Sequence, residues 1–175
     1  DKDTSGLMMV ARTRAAMDAL IRAIAERTVK REYLALVAGQ WRHADEVSLA
    51  GAMGRDPKNR LRMAVLDPAC HPAKPALTHV RLLQQGPEHA LLHCRLDTGR
   101  THQIRVHLSH AGYPLVGDTL YGGKAFSTLS RQGLHAWRLS LTHPVTRAEL
   151  AWASPPPADL RDTLQTLGVG YNFSQ

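Results

Sequence analysis

Cysteine, aromatic residues and long hydrophobic runs are all scarce in this sequence. Two cysteines in 175 residues exclude a disulfide framework and a four-cysteine zinc ribbon, and they favour a reducing, cytoplasmic location. Apolar stretches such as residues 7–11 are far shorter than the roughly 20 residues that a membrane-spanning helix needs. The sequence therefore predicts a protein with no transmembrane helix.

Acidic residues are also few relative to basic ones. The chain has 15 Asp and Glu against 22 Lys and Arg, which gives a formal net charge of +7. Arginine dominates the basic residues, and its planar guanidinium can bind a phosphate through two parallel hydrogen bonds. This bias favours a polyanionic partner such as nucleic acid, although a genome rich in arginine codons would produce the same composition.

The length and the apolar pattern favour one globular domain of mixed structure. Hydrophobic residues make up 43% of the chain, enough for a real core. Segments rich in strand formers predict strands at residues 7–11, 32–38, 46–49, 76–83, 89–96, 134–141 and 149–153. Helices are predicted from an N-cap at Thr13 to about residue 28, over 101–111 and over 158–167, before a loose tail after Gly168. We therefore expect an α+β fold with an antiparallel or mixed sheet.

A cluster of cations stands in a predicted turn at residues 54–62. The side chains that could contact RNA phosphates there are Arg55, Lys58, Arg60 and Arg62. Such a loop is equally compatible with a solvated hairpin tip and with a finger that grips RNA.

A second basic region lies at residues 97–107, where a glycine turn leads into a predicted helix. Free backbone N–H groups at the start of a helix attract anions, and Arg100 and Arg105 stand nearby. Taken alone, this pattern predicts a site for a phosphate or a carboxylate.

Five short motifs occur in order along the chain. They are Asp1-Lys2-Asp3-Thr4-Ser5-Gly6, Lys30-Arg31-Glu32-Tyr33, Thr98-Gly99-Arg100-Thr101-His102-Gln103-Ile104-Arg105-Val106-His107, Pro114-Leu115-Val116-Gly117-Asp118 and Leu134-His135-Ala136. Their residues and order resemble the RluA family of pseudouridine synthases, over residues 1 to about 157. Within that family the sequence is most similar to the RluD-type enzymes that modify large-subunit ribosomal RNA.

The resemblance implies a fold, an activity and a set of site residues. The implied fold is the α+β pseudouridine synthase fold, a mixed, mainly antiparallel sheet with flanking helices and a central cleft. The implied activity is the isomerisation of uridine to pseudouridine in RNA, without a cofactor or a metal. Asp1 corresponds to the catalytic carboxylate and Arg105 to its ion-pair partner, while Tyr33 packs beside the target uracil and Leu134 walls the base pocket. The basic loop at residues 55–62 takes the place of a loop that enters the RNA.

The family's catalytic domain continues upstream of this Asp, often after a small RNA-binding domain. The resemblance therefore implies that residues 1–175 form a single catalytic domain truncated at its N-terminus. We expect a monomer with structured RNA, in particular large-subunit ribosomal RNA, as its partner. Two alternatives stay open: an inactive RNA-binding fragment, and the same chemistry on transfer RNA.

The chemistry explains why these residue types belong together. A carboxylate in a dry pocket needs a paired guanidinium to keep its charge, and a uridine flipped out of its stack needs an aromatic or apolar surface. The carboxylate could attack C1′ of the sugar, add to C6 of the base or abstract the 2′ proton, and the sequence leaves these routes open. Asp97 and Asp118 are rival carboxylates that could instead support Arg100 or a turn.

Overall fold

A mixed sheet of eight strands organises the part of the chain that the computed structural model describes, residues 1–43 and 45–173. The strands are β1 (Ser5–Gly6), β2 (Lys30–Ala38), β3 (Glu46–Arg55), β4 (Met63–Val65), β5 (Lys74–Gln85), β6 (His89–Leu96), β7 (Leu134–Thr142) and β8 (Glu149–Ala153). Their order across the sheet is β1-β7-β2-β6-β5-β3-β4, with β8 also paired to β7. The pairing of β1 with β7 is parallel, and the other named strands pair antiparallel. The predicted α+β class with a mainly antiparallel sheet is confirmed.

The described residues also form three α-helices, which are α1 (Arg14–Ala25), α2 (Gln103–His110) and α3 (Ala158–Thr166). The predicted N-cap of α1 is confirmed, because the Thr13 hydroxyl accepts a hydrogen bond from the Ala16 N–H at 3.1 Å. None of these helices is long and apolar enough to cross a membrane.

The sheet has two differently covered faces, which follow from the alternation of side chains along β2. Ala35 and Val37 point to the side of α2 and join a core cluster with Ile104 of that helix. Leu34 and Leu36 point to the opposite side and pack with leucines of α3. We call these sides the α2 face and the α3 face.

The predicted strand at residues 7–11 is wrong. The strand β1 ends at Gly6, before this segment. The chain after it is irregular, with Met8 82% and Val10 73% exposed. The physical reason is competition for an edge: β2 occupies one side of β7, and β8 occupies the other side from Arg138 onwards. Residues 7–11 therefore find no free edge on β7, the strand with which β1 pairs.

The expectation of a loose tail after Gly168 is also wrong for the described residues up to 173. Val169 is fully buried, and Tyr171 and Phe173 pack against the cluster on the α3 face. The Phe173 ring meets Trp137 edge to face at a centroid distance of 6.5 Å. Aromatic contacts with a distant strand therefore hold a segment that has no regular structure of its own.

Candidate active site

A cleft of about 210 Å³ opens on the α2 face, between the ends of β2, β6 and β7 and the start of α2. Its lining includes four residues that the sequence singled out as site residues, which are Asp1, Tyr33, Arg100 and Leu134. Four elements distant in sequence thus converge on a single cavity. Arg105 stands behind this lining, within reach of Asp1.

The Asp1 carboxylate has two nitrogen-bearing side chains as neighbours. The Nη1 atom of Arg105 lies 4.0 Å from Asp1 Oδ2, and the Nε2 atom of His102 lies 3.9 Å from Asp1 Oδ1. Both distances exceed those of a hydrogen bond, so they describe electrostatic proximity. Both carboxylate oxygens thus remain available for a substrate while a cation stands beside them.

Arg105 is held by a second carboxylate, that of Asp118. Its Nε donates to Asp118 Oδ2 at 2.7 Å and its Nη2 donates to Asp118 Oδ1 at 2.8 Å, in a bidentate pair that is almost completely buried. The sequence predicts Asp118 as a support for Arg100 or for a turn, whereas in the structure Asp118 binds Arg105. This pairing fixes the guanidinium so that its remaining nitrogen, Nη1, faces Asp1.

Tyr121 connects this charged centre to the basic loop, and the sequence reasoning missed it. Its hydroxyl accepts a hydrogen bond from the Met63 N–H at 2.9 Å and lies 2.7 Å from Nδ1 of His102. The Arg105 guanidinium stacks over its ring, 4.8 Å from the centroid. No local pattern in the sequence indicated Tyr121, since its partners come from two other segments, the start of β4 and the start of α2.

His102 has an unusual backbone conformation at the start of α2. Its φ of 57° lies in the left-handed region, which is uncommon for residues other than glycine, although asparagine, aspartate and histidine adopt it more often than the rest. Burial, reinforced by the neighbouring charge of Arg105, lowers the pKa of His102. The ring has its Nδ1 at hydrogen-bond distance from the Tyr121 hydroxyl, and its Nε2 stands near Asp1.

Tyr33 and Leu134 give the cleft its apolar wall. They lie on adjacent antiparallel strands, where Ala35 of β2 pairs with Leu134 of β7. Leu134 is 2% exposed, and burial raises the pKa of the Tyr33 hydroxyl, so its ring stays uncharged. An aromatic ring and a branched apolar side chain thus stand on one side of the cavity that Asp1 also lines.

The turn before α2 is held by the side chain of Gln103. Its Oε1 accepts from the Arg100 N–H at 3.0 Å and from the Thr98 hydroxyl at 2.7 Å. Its Nε2 donates to the Thr78 hydroxyl, which in turn lies 2.9 Å from Nδ1 of His107. The Arg100 N–H is thus occupied ahead of α2, which begins at Gln103, and an anion site at the start of this helix stays a prediction.

The basic loop lies between β3 and β4, outside the lining of the cleft. Asp56 is buried at its base and accepts hydrogen bonds from Arg62 Nε at 2.6 Å and from the Lys58 N–H at 2.8 Å. The side chains of Arg55, Lys58 and Arg60 are exposed. The loop is therefore an ordered turn with three exposed cations. The fourth cation, Arg62, stabilises the turn through its bond to Asp56.

The other rival carboxylate, Asp97, lies in an ion-pair cluster outside the cleft. Its nearest cationic partners are Arg95 at 3.0 Å and Arg27 at 3.5 Å, and His79 lies 3.2 Å away. Across residues 1–43 and 45–173, no group of three or more His, Cys, Asp or Glu side chains is arranged to hold a metal.

Comparison with known sequences places these features in a family. The sequence pattern of a family described as RNA pseudouridylate synthase matches residues 1–110. A relative from Nitrosomonas europaea, named ribosomal large subunit pseudouridine synthase D, is 47% identical over 95% of this chain and 49% of its own length. The Escherichia coli protein of the same name is 41% identical over 98% of this chain and 55% of its own length. The chain spans about half the length of the curated relatives it matches.

Solved structures agree with the sequence comparison. Human RNA pseudouridylate synthase domain containing 1 superimposes with a TM-score of 0.69 at 32% identity, over 85% of this chain and 63% of that one. Human RNA pseudouridylate synthase domain containing 4 gives a TM-score of 0.73 at 22% identity, over 96% of this chain and 73% of that one. The second likeness shows the fold alone. The predicted pseudouridine synthase fold is confirmed.

Proposed function

The chain belongs to the RNA pseudouridylate synthase family, and from this premise we propose that its cleft isomerises uridine to pseudouridine in RNA. The reaction breaks the bond between N1 of uracil and C1′ of the ribose and joins C1′ to C5. The proton on C5 is lost and a proton is gained at N1, so atoms and electrons balance without a redox step. A single carboxylate can support this chemistry.

The observation that carries the proposal is the Asp1 carboxylate facing the free nitrogen of Arg105. Once bound RNA covers the cleft and displaces its water, a carboxylate there needs a nearby positive charge to stay ionised. Arg105 supplies that charge, and Asp118 holds its other two nitrogens, so the guanidinium cannot swing away from Asp1. Asp1 is therefore our candidate for the catalytic carboxylate and Arg105 for its ion-pair partner.

The wall formed by Tyr33 and Leu134 suits the base of the substrate. An enzyme that acts on a base in structured RNA must take that base out of its stack, which costs a few kcal/mol. Contact with an aromatic ring and an apolar side chain offsets part of this cost. We place the flipped uracil against Tyr33 and Leu134, with its ribose towards Asp1.

Structured RNA, in particular large-subunit ribosomal RNA, is the proposed substrate. The two relatives described above carry large-subunit pseudouridine synthase names. The net charge of +7 and the three exposed cations of the basic loop favour contact with a phosphate backbone. The Tyr121 hydroxyl contacts both Met63, the residue that follows that loop, and His102 beside Asp1, which supports a path for the RNA strand from the loop to the cleft.

Tritium release tests the proposal directly, because formation of the C1′–C5 bond expels the hydrogen on C5. We would incubate the chain with a large-subunit ribosomal RNA transcript and with transfer RNA transcripts, each carrying 5-tritiated uridine. Release from the ribosomal transcript supports ribosomal RNA as the substrate. Release from the transfer RNA transcripts alone would show that transfer RNA is the substrate instead. RNA binding without release from either transcript would identify an inactive RNA-binding chain and contradict the proposal.

A further inference from the structure

Arg31 lines the candidate cleft together with Asp1, Tyr33 and Arg100. Its guanidinium lies directly against Gly99 in the turn before α2. A Cβ atom added at Gly99 would stand 2.5 Å from Nη1 of Arg31, closer than side-chain atoms pack. Because Gly99 has no side chain, the Arg31 guanidinium can occupy this space.

The charge of Arg31 has no partner in the described parts of the chain, residues 1–43 and 45–173. Its side chain makes no hydrogen bond or ion pair there, and its Nε is completely buried without an acceptor. Burial lowers the pKa of Arg31, although the nearby charge of Asp97 opposes this effect. A guanidinium nevertheless stays protonated at neutral pH.

The contrast with Arg105 shows what is missing at Arg31. Arg105 is buried, and Asp118 satisfies it with two hydrogen bonds, whereas Arg31 is half-buried with a buried Nε that has no acceptor. A desolvated cation without an anion is costly, so such a group is retained where a ligand supplies the anion. Arg31 offers its charge to a cavity that is open to solvent and shared with the candidate carboxylate.

We propose that Arg31 binds a backbone phosphate at the target uridine of the RNA strand, and that this binding position of the guanidinium requires a glycine at position 99. The proposal rests on the proposed function for the identity of the strand. Arg31 and Tyr33 stand two residues apart on β2 and line the same cleft, so their side chains are neighbours about 6.6 Å apart along the strand. This spacing suits a base on Tyr33 with its own phosphate on Arg31, and Arg100 adds a second cation on the same lining.

The first test is the salt dependence of RNA binding by an Arg31→Gln variant. Each phosphate contact contributes about 0.7 to 0.9 to the slope of log affinity against log salt concentration. We expect Arg31→Gln to lower this slope by about that amount for the ribosomal transcript. Arg22→Gln, which removes an exposed cation on α1 away from the cleft, is the charge-matched control and should change the slope less.

The second test moves the guanidinium without removing its charge. In a Gly99→Ala variant the new methyl group displaces the end of the flexible Arg31 side chain, which requires little energy elsewhere. We expect this variant to lower the salt slope nearly as much as Arg31→Gln does. The double variant should bind no more weakly than Arg31→Gln alone, because both changes remove the same contact. Gly170→Ala, which meets no atom within 4 Å, is the matched glycine control.

Two results would overturn the proposal. Weaker binding with an unchanged slope would mean that Arg31 contacts an uncharged group of the RNA, and fully additive losses in the double variant would separate Gly99 from Arg31. Melting temperatures of all variants show whether each is folded at the binding temperature. Tritium release by the unchanged chain separates this proposal from the proposed function. If release fails and the slope still falls with Arg31→Gln, the phosphate site stands and the isomerase does not.

Discussion

The two faces of the sheet bury their side chains by opposite means. The α3 face is filled with leucines and aromatic rings, and its cluster includes Leu34, Leu36 and Leu160. The α2 face also has an apolar cluster, but its α2 end buries a charged pair, Arg105 with Asp118. The same sheet thus separates a layer that contributes mainly stability from a layer that holds charge in place.

This difference between the faces shows that the chain accepts a desolvation penalty on the α2 face, at the pair of Arg105 with Asp118. Leucines in a buried cluster gain hydrophobic free energy without needing a partner. A buried ion pair roughly balances its desolvation penalty against its attraction, so apolar residues of similar size would serve stability as well or better. The pair between Arg105 and Asp118 is therefore best explained by what it positions, the remaining nitrogen that faces Asp1.

The largest effect should come from breaking the charged pair. Asp118→Asn leaves the Arg105 guanidinium buried without a counter-ion, which we expect to cost about 3–5 kcal/mol of the free energy of unfolding. Tritium release should fall by about a hundredfold or more even where the protein is folded, because Arg105 is no longer fixed towards Asp1. Urea denaturation and the release assay measure the two effects. Asp18→Asn, which breaks an exposed pair with Arg14, should cost less than about 1 kcal/mol.

The opposite face should respond in stability alone. Leu160→Ala removes a fully buried side chain from α3, and we expect a loss of about 2–5 kcal/mol in the free energy of unfolding. Because Leu160 lies across the sheet from the cleft, kcat for isomerisation should stay unchanged at temperatures where the variant is folded. A fall in kcat under those conditions would show that the two layers are not separable.

The polar layer should also make stability depend on pH through His107. Burial lowers the pKa of His107 from 6.5 to about 4 in the folded chain. Between these values the unfolded chain binds a proton that the folded chain does not, so this stability is complete above pH 6.5 and is lost as the pH falls towards 4. We expect about 2 kcal/mol to be lost between pH 7 and pH 5. Urea denaturation at both pH values measures the loss, which should be smaller in His107→Asn.

The smallest effect is expected at the basic loop. Arg60→Ala removes an exposed cation, so it should reduce the salt slope of RNA binding by about one and leave the melting temperature unchanged. Arg62→Ala should lower the melting temperature as well, since the buried carboxylate of Asp56 then loses its ion-pair partner. An unchanged slope for Arg60→Ala would make the loop a solvated turn with no contact to RNA.

Much of the sheet could be predicted from the sequence, because local patterns determine its strands. The predicted strands at 89–96 and 149–153 agree with β6 and β8, and Thr13 caps α1 as expected. The segment 7–11 has the apolar composition of a strand and still forms none. Whether a strand forms there depends on a free edge of β7, which local composition does not report.

The site was only partly predictable for a similar reason. The family motifs named Asp1, Tyr33 and Leu134, and the structure brings all three to one cleft. The hydroxyl of Tyr121 and the unpartnered charge of Arg31 are products of three-dimensional packing between distant segments. No periodicity or spacing in the sequence records such contacts.

The most direct test of the account compares two neighbouring carboxylates, Asp1 and Asp3. Asp1→Asn and Asp3→Asn each remove one negative charge, and the exposed Asp3 has a φ of 69° that asparagine tolerates well. Tritium release and RNA affinity would be measured for both variants on the same transcript. We predict that Asp1→Asn abolishes release while its affinity for RNA is retained, and that Asp3→Asn releases tritium at the rate of the unchanged chain. Release by Asp1→Asn at that rate would contradict the central claim that the Asp1 carboxylate performs the chemistry.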